Sequence, residues 1–142
     1  MSKIFFHLEM VSHPLKGKIK EYKDWLNNVA SSENGRIEEL NYIFCDDDYI
    51  LKINQDFLQH DYYTDIITFP YSTNKTKIKA DIYISIDTVK SNAEEFGETF
   101  KRELQRVMVH GLLHMLGYND KTTEQSVLMR EKENIYIQSI EI

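Results

Sequence analysis

The chain has 142 residues, 17 basic and 23 acidic side chains, a formal net charge of −6, one cysteine and 42% hydrophobic residues. This length favours one domain that buries roughly 70% of the surface that its unfolded chain would expose. A single Cys45 excludes a disulfide framework and a cysteine-based zinc ribbon, and no apolar run approaches the ~20 residues of a membrane span. The start of the chain lacks signal-peptide features. The net negative charge disfavours nucleic-acid binding through a large positively charged surface. We therefore expect a cytoplasmic protein without a membrane partner, in which any nucleic-acid role rests on a local site.

The first half of the chain predicts two strands, each followed by a helix. Residues Ile4–Leu8 form a short β-favouring run, and apolar residues spaced three and four apart predict a helix from Leu15 to Val29 that ends near Gly35. Leu40–Cys45 predicts a second strand. The three aspartates 46–48 follow it directly, and we expect one of them to cap the next helix, with a metal cluster as the less favoured alternative.

The second half predicts two more strands and three helices. Thr64–Pro70 forms a third strand, a polar loop or hairpin connection covers residues 72–79, and Ala80–Ile86 alternates as a fourth strand. Asp87 begins a helix that buries Val89, Ala93 and Phe96 and ends at Gly97.

The last two helices begin at predicted caps. Thr99 caps a helix that reaches Gly117, and Thr122 with Gln125 forms a capping box for a final helix that reaches Ser139. The fold class is therefore α+β, α/β-like in character. We expect residues 1–142 to form one domain in which a mixed four-stranded sheet packs with about five helices.

The strongest chemical motif is VMVHGLLHMLGYND at residues 107–120. His110 and His114 lie four residues apart on a helix, so both rings project from one face. Gly117 can end the helix in a left-handed turn, which lets Asp120 approach from the side. The arrangement resembles the metzincin zinc motif. Two imidazoles and one carboxylate suit Zn²⁺ at about 2.0–2.2 Å and leave a fourth position open, as in catalytic sites.

Two alternatives bear on this motif. The histidines could be hydrogen-bonded core residues, but a shared metal satisfies both at once on an apolar helix. In the protease motif a general-base Glu follows the first His, whereas Gly111 stands here, which disfavours a peptidase. The sequence assigns no protein base, so a metal-bound water is the expected catalytic group.

The segment HGLLHMLGYND resembles the H-G-x-L-H-L-x-G-Y-D-H signature of the bacterial YbeY family of metal-dependent endoribonucleases. The resemblance extends to Ile53-Asn54, to TDIITFP at 64–70, to Ala80-Asp81-Ile82, and to Met129 and Glu133. It implies a mixed four-stranded sheet, one zinc ion per chain, and action on single-stranded RNA. It further implies 3′-end maturation of small-subunit ribosomal RNA and ribosome quality control, with the ribosomal small subunit as partner. A ribosome-associated binding protein with a structural metal and another zinc hydrolase are the alternatives.

The chain departs from the family pattern at two positions. Asp120 stands where the third ligand is usually His, so we expect more tolerance of harder ions such as Mn²⁺. Leu58 stands where the family usually carries an Arg, so a cation suited to holding a phosphate is missing. Gln59 or His60 could substitute in part.

Basic residues near the motif form a weaker hypothesis. Lys101, Arg102 and Arg106 lie on the first turns of the metal-bearing helix and are candidate RNA contacts, together with lysines 75, 77 and 79 on a predicted strand. Glu131 and Glu133 are expected to lie on a solvated face of the last helix.

Overall fold

The computed structural model describes residues 3–59, 64–72 and 74–140. The described residues form four strands and five α-helices, with a short 3-10 helix at Lys75–Lys77. In chain order they are β1 (Ile4–Glu9), α1 (Ile19–Ser32), β2 (Ile37–Cys45), α2 (Asp47–Leu58), β3 (Ile66–Pro70), β4 (Ile78–Ser85), α3 (Ile86–Phe96), α4 (Phe100–Met115) and α5 (Thr123–Gln138). The predicted α+β fold with a mixed four-stranded sheet and five helices is confirmed.

The strands form one sheet in the order β1-β2-β4-β3. β1, β2 and β4 run parallel, and β3 pairs antiparallel with β4 at the sheet edge. Parallel neighbours need crossover connections, and α1 connects β1 to β2 in this way. The antiparallel β3 reaches β4 through the short connection that contains the 3-10 helix.

Each face of the sheet packs against different helices. The larger core combines one face of the sheet with side chains from α1, α3, α4 and α5, and its centre includes Tyr42, Ile82 and Met108. A smaller cluster on the opposite face joins Cys45 and Ile67 to Ile50 of α2. Alternating strand residues supply both clusters, because successive side chains point to opposite faces.

Helix α4 lies against the sheet, and most of its length is buried. The hydroxyl of Tyr42 donates to the carbonyl oxygen of Met108 at 2.8 Å, which joins β2 to the middle of the helix. A Cβ atom added at Gly111 would lie 3.0 Å from Cδ1 of both Ile66 and Ile82. The helix backbone therefore approaches β3 and β4 closely at the position between the two histidines.

Several predicted boundaries differ from the observed ones. α1 begins at Ile19, and the buried Leu15 precedes the helix in a turn. Phe96 was predicted to face inward, but its side chain is 60% exposed at the end of α3. Lys75 and Lys77 lie in the 3-10 helix rather than on a strand, and His60 lies outside the described residues.

The predicted caps are confirmed. Asp46 accepts from the backbone N–H of Tyr49 at the start of α2, and Thr99 accepts from the N–H of Arg102 at the start of α4. Thr122 heads α5 with the complete capping box. Among the described residues, no helix has both the length and the apolar character that a bilayer crossing requires.

Candidate metal centre

His110, His114 and Asp120 meet at the C-terminal end of α4. The Nε2 atoms of the two histidines lie 3.0 Å apart. Oδ2 of Asp120 lies 3.3 Å from Nε2 of His110 and 3.4 Å from Nε2 of His114. Gly117 adopts φ +105°, a conformation that favours glycine, and the chain reverses there. The sequence thus predicted the three residues that the fold brings together.

The second nitrogen of each imidazole is already engaged. Nδ1 of His114 lies 2.9 Å from the carbonyl oxygen of Tyr118, and Nδ1 of His110 lies 2.7 Å from Oε2 of Glu133. A carbonyl oxygen and a carboxylate oxygen accept hydrogen bonds, so both Nδ1 atoms donate. In the neutral rings each Nε2 atom then carries a lone pair, and the two atoms lie 3.0 Å apart. A proton or a cation between them would remove the repulsion of the two lone pairs.

The donor set fits a small divalent cation. In a tetrahedral zinc site with ligand bonds of about 2.0–2.1 Å, neighbouring ligand atoms lie about 3.3 Å apart. The three distances here, 3.0, 3.3 and 3.4 Å, are close to that spacing. The side chains of His110, His114 and Asp120 are 23%, 29% and 41% exposed, so the site opens to solvent on the Asp120 side.

The loop that carries Asp120 is fixed by the start of α5. The backbone carbonyl oxygen of Asp120 accepts from the hydroxyl of Ser126 at 3.0 Å. Oε1 of Gln125 accepts from the backbone N–H groups of Lys121 and Thr122. The capping box therefore holds the loop in place as well as starting the helix.

Glu133 lies at the candidate metal centre, not on the solvated face predicted for it. Its side chain is only 5% exposed and accepts from Nδ1 of His110 and, at 3.2 Å, from Nη1 of Arg106. The predicted solvated face is therefore wrong for Glu133. Its four-residue spacing from Met129, which is buried on the same helix, was the signal that could have placed Glu133 on the inner face of α5.

The two histidines have pKa values shifted in opposite directions. Burial lowers the pKa of His110, but the hydrogen bond and charge of Glu133 raise it by more, and the net pKa lies above the ordinary value. Burial and the neighbouring His110 lower the pKa of His114. Glu133 thus makes His110 the more basic ring of the pair.

Comparison with known proteins identifies the family. A family model described as Endoribonuclease YbeY matches residues 8–141. A Cytophaga hutchinsonii protein named Endoribonuclease YbeY is 54% identical over 131 residues, which cover 92% of this chain and 91% of that protein. The chain belongs to the YbeY family. A Flavobacterium psychrophilum protein of the same name is 51% identical over 80% of each chain.

A solved structure supports the same fold. The solution structure of a Thermotoga maritima protein is 30% identical in sequence and matches with a TM-score of 0.69. The match covers 99% of this chain and 89% of that one. The similarity therefore extends from β1 to α5 and is not confined to the histidine motif.

Gly111 is a packing position. Any side chain larger than glycine there would have to displace the terminal methyl groups of Ile66 and Ile82, which would lie 3.0 Å from its Cβ atom. The position that carries the general base in a metzincin peptidase is therefore filled by the helix–sheet contact. This observation reinforces the sequence argument against a peptidase.

A cavity of about 300 Å³ adjoins His110. Arg106 and Glu133 line it together with His110 and Asp120, and the exposed Phe96 lies at its wall. The other lining residues are Asp65, Ile66, Asn92, Glu103, Val107, Ser126, Met129 and Arg130.

The three basic residues predicted as RNA contacts are not placed together. Arg106 lines the cavity and is paired with Glu133. Arg102 donates to the carbonyl oxygen of Ile137 at 2.9 Å, and the exposed Lys101 lines a separate groove beside Pro14.

The aspartate run and Leu58 lie at the two ends of α2. Asp46 caps α2, and Oδ1 of Asp47 accepts from the hydroxyls of Ser85 and Thr88. Among the described residues, the group of three side chains arranged to hold a metal ion is His110, His114 and Asp120, so the capping interpretation of the aspartate run is favoured over the metal cluster. Leu58, at the position of the family Arg, is the last residue of α2 and is 39% exposed.

Proposed function

We propose that this chain is a single-domain, metal-dependent endoribonuclease that cleaves single-stranded RNA, with residues 1–142 as the functional unit. Its membership of the YbeY family supports this proposal, and so do the relatives of 54% and 51% identity that carry the name Endoribonuclease YbeY. The alignment covers 91% and 80% of these relatives' own lengths.

The observation that carries the proposal is the convergence of two imidazole lone pairs and one carboxylate. We assign His110, His114 and Asp120 as the ligands of one Zn²⁺ ion per chain. A divalent ion held there would supply a Lewis acid that polarises a phosphodiester and makes water a stronger acid. No side chain is assigned as a general base.

The surrounding residues would prepare the ligands for this role. Glu133 and the Tyr118 carbonyl hold the two Nδ1 protons, so both Nε2 atoms face the centre of the site. Arg106 is held by Glu133 and Asn134 on the wall of the adjoining cavity. An arginine in this position suits contact with a phosphate of the RNA backbone.

The proposed RNA contacts predict a salt effect. Neutralising Lys101, Arg102 and Arg106 should flatten the dependence of RNA binding on salt, because fewer counterions are then released. From its position in the cavity, Arg106 should account for most of the change. An unchanged slope would exclude all three residues as phosphate contacts.

The proposed cellular substrate is the 3′ end of small-subunit ribosomal RNA, cut in the cytoplasm on the ribosomal small subunit. This part rests on the sequence resemblance to the family. The test is to compare cleavage of precursor RNA on purified small subunits with cleavage of the same RNA in free form. Cleavage of an unrelated RNA at the same rate as the precursor RNA, whether the precursor is free or on the small subunit, would contradict this proposal.

The central experiment measures cleavage of a labelled single-stranded RNA by zinc-reconstituted protein. His114→Ala removes one proposed ligand, and His7→Ala is the matched control because His7 is an exposed histidine on β1. We expect cleavage by wild type and His7→Ala and none by His114→Ala. Double-stranded RNA of the same sequence should resist cleavage. Cleavage by a folded His114→Ala protein equal to wild type would refute the metal mechanism.

A further inference from the structure

Glu33 lies at the C-terminal end of α1 and gathers three hydrogen bonds from distant parts of the chain. Its carboxylate, 12% exposed, accepts from the hydroxyl of Tyr118 at 2.5 Å, from the hydroxyl of Tyr136, and from Nζ of Lys132 at 3.2 Å. Burial raises the pKa of Glu33, but these three donors lower it by more, and the net pKa lies below its ordinary value. The carboxylate is therefore ionised at neutral pH.

Tyr118 connects this carboxylate to the histidine motif. Its hydroxyl donates to Glu33, while its backbone carbonyl accepts from Nδ1 of His114 at 2.9 Å. Its backbone N–H donates to the carbonyl of Leu113, and the ammonium group of Lys132 lies 5.5 Å from the centre of its ring. The ring is thus held at its hydroxyl and on one face. Fixing the ring also restrains the carbonyl of the same residue.

We propose that Glu33 is a positioning residue for the metal centre. It holds Tyr118 so that the Tyr118 carbonyl fixes the tautomer and orientation of His114, which presents Nε2 to the ion. The proposal rests on the proposed function in one respect, since it takes His114 as a metal ligand. Groups that orient metal-bound histidines in this way are typically worth about 10- to 100-fold in metal affinity.

Tyr136, the second tyrosine that donates to Glu33, provides a matched control for Tyr118. Tyr136 donates its hydroxyl to Glu33 as Tyr118 does, but it lies on α5 and no described hydrogen bond joins it to His114. The backbone of α5 near Tyr136 is held independently, because Nε1 of Trp25 donates to the Tyr136 carbonyl at 2.8 Å. Removing either hydroxyl takes one hydrogen bond from Glu33, but only the Tyr118 hydroxyl leads to the site.

The test measures zinc affinity by chelator competition and the visible absorption spectrum of the Co²⁺-substituted protein. Glu33→Ala and Tyr118→Phe should each weaken zinc binding about tenfold and alter the Co²⁺ spectrum. Glu33→Gln keeps one acceptor and should fall between Glu33→Ala and wild type. Tyr136→Phe should keep the wild-type affinity and spectrum, even where its unfolding temperature falls.

A double variant tests whether the two residues act in series. Glu33→Ala combined with Tyr118→Phe should bind zinc no more weakly than the weaker single variant, because both changes break the same connection. Wild-type affinity and spectrum in Tyr118→Phe would overturn the proposal, and so would an equal loss in Tyr136→Phe. If Glu33→Ala does not fold, Tyr118→Phe and Glu33→Gln decide the question.

The outcome is separable from the proposed function. A wild-type protein that binds zinc but does not cleave RNA contradicts the nuclease proposal, and the variant affinities still decide the role of Glu33. A wild-type protein that binds neither Zn²⁺ nor Mn²⁺ overturns both.

Discussion

Replacing Glu133 by Gln removes a charge from beneath His110 and creates a conflict between hydrogen-bond donors. One carboxylate oxygen accepts from Arg106 and the other accepts from Nδ1 of His110. A glutamine has one oxygen and one NH₂ group, so in either orientation one of these two donors meets another donor. The side chain is 5% exposed, and water has little access to relieve the conflict.

The expected result is a loss of metal affinity. Removing the partner of a metal-bound histidine typically costs about 10- to 100-fold, which corresponds to about 1.4–2.8 kcal/mol of binding free energy. Because Nδ1 of His110 approaches Oε2 of Glu133 to 2.7 Å, a charge-assisted contact, we expect the upper half of that range. Chelator competition measures the change directly.

Glu131→Gln is the matched control for this experiment. It makes the same chemical change on an exposed position of α5 and should leave zinc affinity within twofold of wild type. Thermal unfolding of the metal-free proteins separates loss of fold from loss of binding. If a folded Glu133→Gln protein bound zinc as tightly as Glu131→Gln, Glu133 would have no role in orienting His110.

Three other substitutions test separate parts of the structure. Gly111→Glu should lower the free energy of unfolding by about 2 kcal/mol in urea titrations, because a side chain at this position has to displace Ile66 of β3 and Ile82 of β4 from their packing against α4; unchanged stability would contradict the packing role. The lowered pKa of Glu33 contributes stability that is lost as the pH falls below the ordinary value of 4.5, so Glu33→Gln should flatten the decline of stability on acidification. Asp120→His should shift metal preference from Mn²⁺ toward Zn²⁺ in competitive titrations, and an unchanged preference would refute the role assigned to Asp120.

The ligand motif was predictable because its geometry is local. Two histidines four residues apart on a helix share a face whatever the rest of the fold does. Gly117 indicates the turn that brings Asp120 back toward them. The helix caps at Asp46, Thr99 and Thr122 were predictable for the same reason. Each depends on hydrogen bonds that span only three residues.

The orientation of the ligands was not predictable, because it depends on contacts between distant segments. Glu133 lies 23 residues from His110, and Glu33 lies 85 residues from Tyr118. An isolated sequence does not show which glutamates face inward until the helices are packed. The same limit explains why the predicted burial of Phe96 was wrong. Its helical spacing predicted a buried side chain, but Phe96 is the last residue of α3 and is 60% exposed.

These distances also constrain how metal affinity and folding are linked. His110 and His114 both lie on α4. Glu133, which accepts from His110, lies on α5. Glu33, which accepts from the hydroxyl of Tyr118, lies at the end of α1. The site in its oriented form therefore exists only when α1, α4 and α5 are packed together. An ion that prefers this form stabilises the packing of all three helices, since its binding free energy adds to that of the folded state. The helix–turn motif would supply the proposed ligands, and the packing of α1, α4 and α5 would orient them.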